Sequence, residues 1–431
     1  MRIGYARVFA AALFVIPLAA QDNTELLNRM KAMEDRIKAL ETEVQSLKGT
    51  AAVTPPAAAP QAALPEQPAA PAQLGGLGPS AAKALNPDIS VIGDFLGAAG
   101  NHGGRPTPSL EMHESEVGFQ EVIDPYARAD FFISFGEHGV DLEEGFLTFT
   151  SLPAGLQVKV GKMRAAFGKI NTLHNHVLPW TDRPLVTQNL VGGEDGIDDA
   201  GLSISRLLPA PKGIFLEGTG QVYRGDSENV FAARKRSDLA TVGHLRAYAD
   251  LNESTNIDLG GSFARGKSPF ADAWNQLYGF DATIRWKPLR RAIYHSFVGR
   301  TEFVWTRTPI LPGDFSQTFD VRPATSIIRP HGYYASGDYQ FARRWFLGGR
   351  FDRSQRGACQ PTNPETTSVC NLPFTSLVQD TGGSLVLTYW PSEFSQIRGQ
   401  LRRTRYGDSR TANELLFQFQ FSMGAHGAHP F

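Results

Sequence analysis

From Asn86 onwards the chain is a succession of short segments in which apolar and polar residues alternate. Phe131, Ile133 and Phe135 alternate with Phe132 and Ser134, and Leu156, Val158 and Val160 with Gln157 and Lys159. Tyr278, Phe280, Ala282, Ile284 and Trp286 alternate with Gly279, Asp281, Thr283 and Arg285. Phe417, Phe419 and Phe421 alternate with Gln418, Gln420 and Ser422. A period of two gives an extended strand one apolar and one polar face. The pattern predicts strands starting near residues 88, 114, 126, 140, 156, 201, 213, 239, 256, 274, 293, 331, 345, 380, 395 and 413.

A soluble sandwich shows the same period, so the connections have to separate the two classes. Every second connection is short: Asp124-Pro125, Leu152 to Gly155, Pro209 to Lys212, Leu251 to Thr255, Pro288 to Arg291, Arg343-Arg344 and Pro391 to Glu393. Most of the others are longer and polar, at 97–113, 164–200, 225–238, 307–330 and 356–379, while the one after the third strand is short. Short turns on one rim and long loops on the other are expected of a membrane barrel. The expected fold is therefore all-β, a transmembrane antiparallel barrel of about sixteen strands over residues 86–431.

Before the barrel the period changes. Within residues 21–49, Met30, Ile37 and Val44 fall at heptad position a, and Leu26, Met33, Leu40 and Leu47 at d. Arg29, Arg36 and Glu43 at g face Glu34, Glu41 and Lys48 at e of a parallel, in-register neighbour, and every such pair is attractive. Alone, a helix of this length is marginal in water. This predicts a short parallel α-helical coiled coil. Arg29-Met30-Lys31-Ala32-Met33-Glu34 and Arg36-Ile37-Lys38-Ala39-Leu40-Glu41 both match a trimer-specifying pattern, Arg at g with Glu at e around apolar a and d. Residues 50–85 are dominated by Ala and Pro and read as a linker.

The first twenty residues carry Arg2 and Arg7, the apolar run from Val8 to Leu18, and Ala19-Ala20 before Gln21. They read as a signal peptide, 1–20, for export to the periplasm. Beyond it no run of 18 apolar residues occurs, so no spanning helix is expected. Lys and Arg number 42 against 43 Asp and Glu, a balance that points away from nucleic acid as a partner. Cys359 and Cys370 sit in one polar stretch and are expected to form a disulfide in an oxidising compartment, two free thiols being the alternative. The terminal Phe431 shares the parity of Phe417, Phe419 and Phe421, resembling the signal read by the bacterial barrel-assembly machinery.

Asn86-Pro87-Asp88-Ile89-Ser90 at the start of the barrel and Val160-Gly161-Lys162-Met163-Arg164-Ala165-Ala166-Phe167-Gly168 at the end of the fifth strand resemble the phosphate-selective-type and related trimeric outer-membrane porins. Met163 and Ala166 depart from that family's pattern. The resemblance implies an outer-membrane homotrimer in which the loop after the fifth strand folds into the channel.

Candidate chemistry follows from parity. The loop at 164–200 carries Arg164, Lys169, His174, His176 and Arg183, then Glu194, Asp195, Asp198 and Asp199, and follows Lys159 and Lys162. Folded inwards it would set a constriction by opposed charges; the alternative is a lid exposed to solvent. Arg246, Arg285, Arg300, Arg350, Arg398 and Arg402 lie on the polar side of their strands, where Asp281, Glu302 and Asp352 also lie, so they form either a basic track or an ion-paired wall. No catalytic motif and no cofactor motif is found, and no metal site is assigned. His174 with His176, and His426 with His429, have short spacings that suit zinc in an alternative reading as a metal-associated uptake protein. The expected function is passive diffusion of small hydrophilic solutes or ions through an outer-membrane porin, not an enzyme, with outer-membrane lipid and the assembly machinery as partners. A tether to the cell wall through the coiled coil is a further alternative.

Overall fold

The computed structural model describes residues 31, 38, 87–102, 108–137, 139–227, 230–310, 326–357 and 377–424. The heptad segment (apart from Lys31 and Lys38, both helical), the linker, both cysteines, His426, His429 and Phe431 lie outside the described residues.

The alternating segments form strands β1(Asp88–Asn101), β2(Leu110–Asp124), β3(Ala127–Gly136), β4(Gly139–Phe149), β5(Leu156–Arg164), β6(Asp198–Leu208), β7(Ile214–Tyr223), β8(Ala240–Asn252) and β9(Thr255–Lys267). They continue as β10(Trp274–Trp286), β11(Ser296–Ile310), β12(Ser326–Ile328), β13(His331–Ala342), β14(Trp345–Gly357), β15(Leu377–Ser392), β16(Ser395–Arg405) and β17(Thr411–Gly424). Each long strand pairs antiparallel with its neighbour in sequence, β11 pairing with β13, and β1 closes the sheet against β17 from Ser90↔Gly424 to Asn101↔Asn413. The result is a closed barrel of sixteen long strands. The three-residue β12 is an addition that periodicity was too short to reveal; it extends the outer end of β11, Thr308 pairing with Ile328.

Parity sorts the side chains as a membrane barrel requires. On β17, Leu415, Phe417 and Phe419 are exposed while Glu414, Gln418 and Gln420 are buried. On β10, Phe280 and Ile284 face outwards while Asn275, Asp281 and Thr283 are buried. Aromatic residues mark both rims of the outer face. Phe263, Tyr278 and Trp305 are neighbours in register near the long-loop rim, Tyr278 stacking on Trp305 at 5.3 Å. Trp345 stacks on Tyr389 at 4.4 Å near the short-turn rim. Such girdles place amphipathic rings at the two membrane interfaces.

Register shifts at Val122/Asp124, Asp250/Asn252, Gln340/Ala342 and Tyr389/Ser392 lie next to short turns, whereas two others fall within the wall, beside β2 and β4. The β1–β2 register shifts between Asp94 and Phe95, leaving His113 unpaired. The β3–β4 register shifts between Phe132 and Ile133, leaving Glu143 unpaired. The β4–β5 ladder runs only from Phe149↔Val158 to Gly145↔Lys162. Where it ends, Gly161 has φ 144°, and a Cβ there would stand 2.1 Å from the Gly145 carbonyl oxygen. Only glycine allows that approach. Beyond it the N–H of Arg164 donates to Glu144 Oε1 at 2.8 Å in place of a ladder partner. The chain leaves the wall at the end of β5, while β5 is still paired with β6 at Arg164↔Asp198.

Leu385 is exposed at the centre of β15, between Gly349 and Leu401. Leu385→Arg is expected to destabilise the barrel by about 2–4 kcal/mol, the cost of a guanidinium on the lipid face at midplane. Equilibrium unfolding from lipid vesicles measures this; an unchanged midpoint would contradict the assigned outer face.

Candidate functional site

Residues 165–197, between β5 and β6, contain two single 3-10 turns, at Ile170–Thr172 and Asn175–Val177, and one short helix, α1(Leu185–Leu190). Ala165, Phe167, Ile170, Leu178, Trp180, Val186, Leu190, Val191 and Ile197 are buried in one cluster with inward-facing Leu277, Val304, Tyr334 and Val386 of the wall. The segment therefore lies inside the barrel. Trp180 is 0% exposed, edge-on to Tyr334 at 5.3 Å and beneath the Arg350 guanidinium at 4.7 Å.

With so little regular structure, its backbone donors need other acceptors. The wall supplies them. Gln221 accepts from the N–H of Ala166, Ser262 from Gly168, and Glu302 from both Lys169 and Ile170 at 2.6 and 2.7 Å. Gln400 accepts from Thr181 at 2.9 Å and Asp352 from Leu185 at 3.1 Å. Asp182 is the reciprocal anchor: its carboxylate takes Arg350 at 2.8 Å, Arg402 at 2.7 Å and the Gln400 amide at 2.6 Å. Burial alone would raise the pKa of Asp182, but Arg350 and Arg402 outweigh it and hold it at about 2.

The basic residues singled out from the sequence divide into two groups. Arg164 (7% exposed), Arg183 (2%), Arg350 (4%) and Arg398 (4%) are buried on fixed partners. Arg164 pairs with Glu143 at 2.9 Å, and Arg183 staples the segment internally through Asn175, Ile170 and Leu173. Arg398 donates to Thr388, Gln396 and Gln418. These four hold the inserted segment and the wall. The second group keeps partial exposure. Lys169, Arg246 and Arg285 surround Asp258 at 3.6, 2.8 and 3.8 Å, with Arg246 bidentate. Burial lowers the pKa of Lys169, Asp258 opposes this, and Arg246 and Arg285 reinforce it. Arg300 pairs with Asp338, and Arg402 with Glu414 as well as Asp182. Lys159 lies over the Phe146 ring at 4.3 Å. Lys162 has the opposite parity to Lys159 and pairs with Asp198 at 3.1 Å and Asp141 at 3.5 Å. Asp198 and Asp199 prove to be the first residues of β6, not part of the loop.

Facing β2 and β4, the segment meets carboxylates. His174 Nδ1 lies 2.6 Å from Glu116 and 3.1 Å from Glu143, and its Nε2 lies 2.8 Å from Glu144. Burial works against a charged His174, yet Glu116, Glu143 and Glu144 raise its pKa well above the ordinary imidazole value. His176 is 6% exposed, 3.7 Å from both Glu114 and Glu116. The pairing of His174 with His176 was legible; the glutamates were not singled out. Two signals pointed to them: Glu114 and Glu116 share inward parity on β2, and the Glu143-Glu144 doublet breaks the alternation of β4, which marks a bulge.

No family model matches the chain. In sequence it is 29% identical over 413 residues to an uncharacterized protein of Aquifex aeolicus (strain VF5), covering 82% of this chain and 81% of that one. In backbone it is similar to OprB of Pseudomonas putida in its high-pH structure, with TM-score 0.52, 11% identity, and coverage of 80% of this chain and 97% of that one. It is also similar to a loop L8 deletion mutant of OmpT, an outer membrane protein of Vibrio cholerae, with TM-score 0.51, 9% identity, and coverage of 78% and 99%. At these identities the likeness is one of fold: the chain has a porin-type β-barrel fold.

The depressed pKa of Asp182 fixes a pH window. Relative to a free aspartate at 3.8, its contribution is complete above about pH 4 and is lost as pH falls through about 2. It is worth about 2 kcal/mol. Hydrogen exchange of residues 178–190 is expected to stay slow down to that range. Asp182→Asn leaves Arg350 and Arg402 without their shared anion and is expected to loosen the segment by about 3 kcal/mol at neutral pH. Equal exchange in variant and wild type would show that the anchor is not Asp182.

Proposed function

We propose that the protein is an outer-membrane porin through which small hydrophilic solutes or ions diffuse passively, with residues 165–197 as the element that narrows the lumen. The observation that carries this reading is the insertion of that segment into a barrel whose inner face is polar and whose outer face is apolar. The fold shared with OmpT, named an outer membrane protein, agrees with the location.

The partly exposed cations Lys169, Arg246 and Arg285 gather around Asp258, with Asp281 and Glu302 on the same inner face acting on Lys169, so this sector offers passing solutes clustered cations backed by carboxylates. Arg164, at the end of β5 where the segment begins, is paired with Glu143. No enzymatic step is part of the proposal. We further propose that the protein is a trimer, with residues 21–49 forming a parallel in-register coiled coil; the attractive pairs Arg29–Glu34, Arg36–Glu41 and Glu43–Lys48 support it.

Purified full-length protein in planar bilayers is expected to give roughly ohmic, salt-dependent conductance, and native mass in detergent a trimer. In a salt gradient, Lys169→Gln with Arg246→Gln is expected to move the reversal potential towards cation preference. A barrel that does not conduct sinks the diffusion reading, and an unchanged reversal potential removes this cluster from the conduction path.

A further inference from the structure

The pocket between β2, β4 and the inserted segment has the composition and spacing of a ligand set. Glu116 Oε2 stands 2.6 Å from His174 Nδ1 and 3.7 Å from His176 Nδ1. Glu114 Oε1 stands 3.7 Å from the same nitrogen of His176, and Glu143 Oε2 stands 3.1 Å from that of His174. Ligand atoms of Glu116, His174 and His176 lie mutually within 4.8 Å, as do those of Glu114, Glu116 and Glu143. Donors at metal–ligand distances of about 2.0–2.2 Å in tetrahedral array are spaced roughly 3.3–3.5 Å apart. The measured separations bracket that value.

A second observation is independent of the spacing. Nδ1 of His176 and Oε1 of Glu114 have no hydrogen-bond partner, although each residue is only 6% exposed. Orphaned buried atoms of this kind are costly and rare in folded proteins. Facing one another beside Glu116, the two would both be satisfied by one cation. Glu143 is moreover the bulged residue of β4, turned in among inward-facing groups by the register shift. Glu144, 2.8 Å from Nε2 of His174, supplies the outer carboxylate that metal-binding imidazoles commonly have on their second nitrogen.

We propose that this pocket binds a divalent transition-metal ion, with Glu116, His174 and His176 at its centre and Glu114 and Glu143 beside them. Mixed imidazole and carboxylate donors suit zinc and its first-row neighbours, whereas calcium and magnesium take oxygen donors. The ion replaces the Nδ1 protons, which pass to solvent, and no electron changes hands. It would tie the inserted segment to β2 and β4 through two side chains.

Zn²⁺ is the probe. Full-length protein carrying Cys359→Ser, Cys370→Ser, His426→Ala and His429→Ala, stripped with chelator, removes the other thiols and the other short-spaced imidazoles. Equilibrium dialysis is expected to show one Zn²⁺ per chain, and X-ray absorption a nitrogen and oxygen shell with imidazole scattering. His176→Ala is expected to weaken binding at least tenfold while the folded band on unheated gels persists, because the His174 ion pairs do not need His176. Should that variant not fold, Glu114→Gln removes the other orphaned atom and is expected to weaken binding likewise. Absence of stoichiometric binding, or binding unchanged in the folded variant, would mean that protons alone hold the cluster and would overturn the proposal.

Discussion

Irregular backbone inside a barrel must find a partner for each N–H, and this constraint organises the interior. Within residues 165–197 short turns such as Leu173 on Ile170 and Val191 on Thr187 satisfy part of the backbone, and wall side chains take N–H groups that these turns leave free. Glu302 takes two successive N–H groups, and Gln221, Ser262, Gln400 and Asp352 take one each. Polar residues on the inner face of β7, β9, β11, β14 and β16 thus serve as acceptors for the inserted segment as well as wetting a lumen. Apolar residues such as Leu277, Val304, Tyr334 and Val386 occupy the same face because the segment needs somewhere to bury Trp180 and its neighbours.

Charge is distributed around this segment unevenly. Towards β2 and β4 the wall is anionic, and the segment answers with two imidazoles and the Arg164 side chain at its root. Towards β8, β9 and β10 the wall presents Arg246 and Arg285, and the segment adds Lys169 to the shared carboxylate of Asp258. Between them, Asp182 bridges Arg350 and Arg402, whose charges are also met by Asp352 and Glu414. Most inward arginines are thus ion-paired, and the partly exposed cations are gathered in one sector.

The strands were legible because a half-buried strand writes its two faces into the sequence with a period of two. All sixteen long strands start within four residues of the positions read from that period. What the period cannot express was missed or misplaced. Asp198 and Asp199 looked like loop acids because they are polar, yet they open β6. The bulges at His113 and Glu143 interrupt the alternation for one residue each. Arg183 looked like a channel charge, but its donors are consumed by carbonyls of its own loop. The role of Asp182 was invisible, since its partners are set by three-dimensional closure and not by any local pattern.

That closure has a consequence for the order of assembly. Asp182 meets Arg350 and Arg402 across sequence separations of 168 and 220 residues. Neither contact exists until β14 and β16 have been delivered. A wall in which β14 and β16 are not yet paired therefore leaves the segment without the partners of Asp182, Leu185 and Thr181. Docking of that segment thus depends on β14 and β16, the neighbours of the strands that lead to the closing β1–β17 seam. The loop-closure entropy of such distant contacts is met only when the segment docks against that part of the wall.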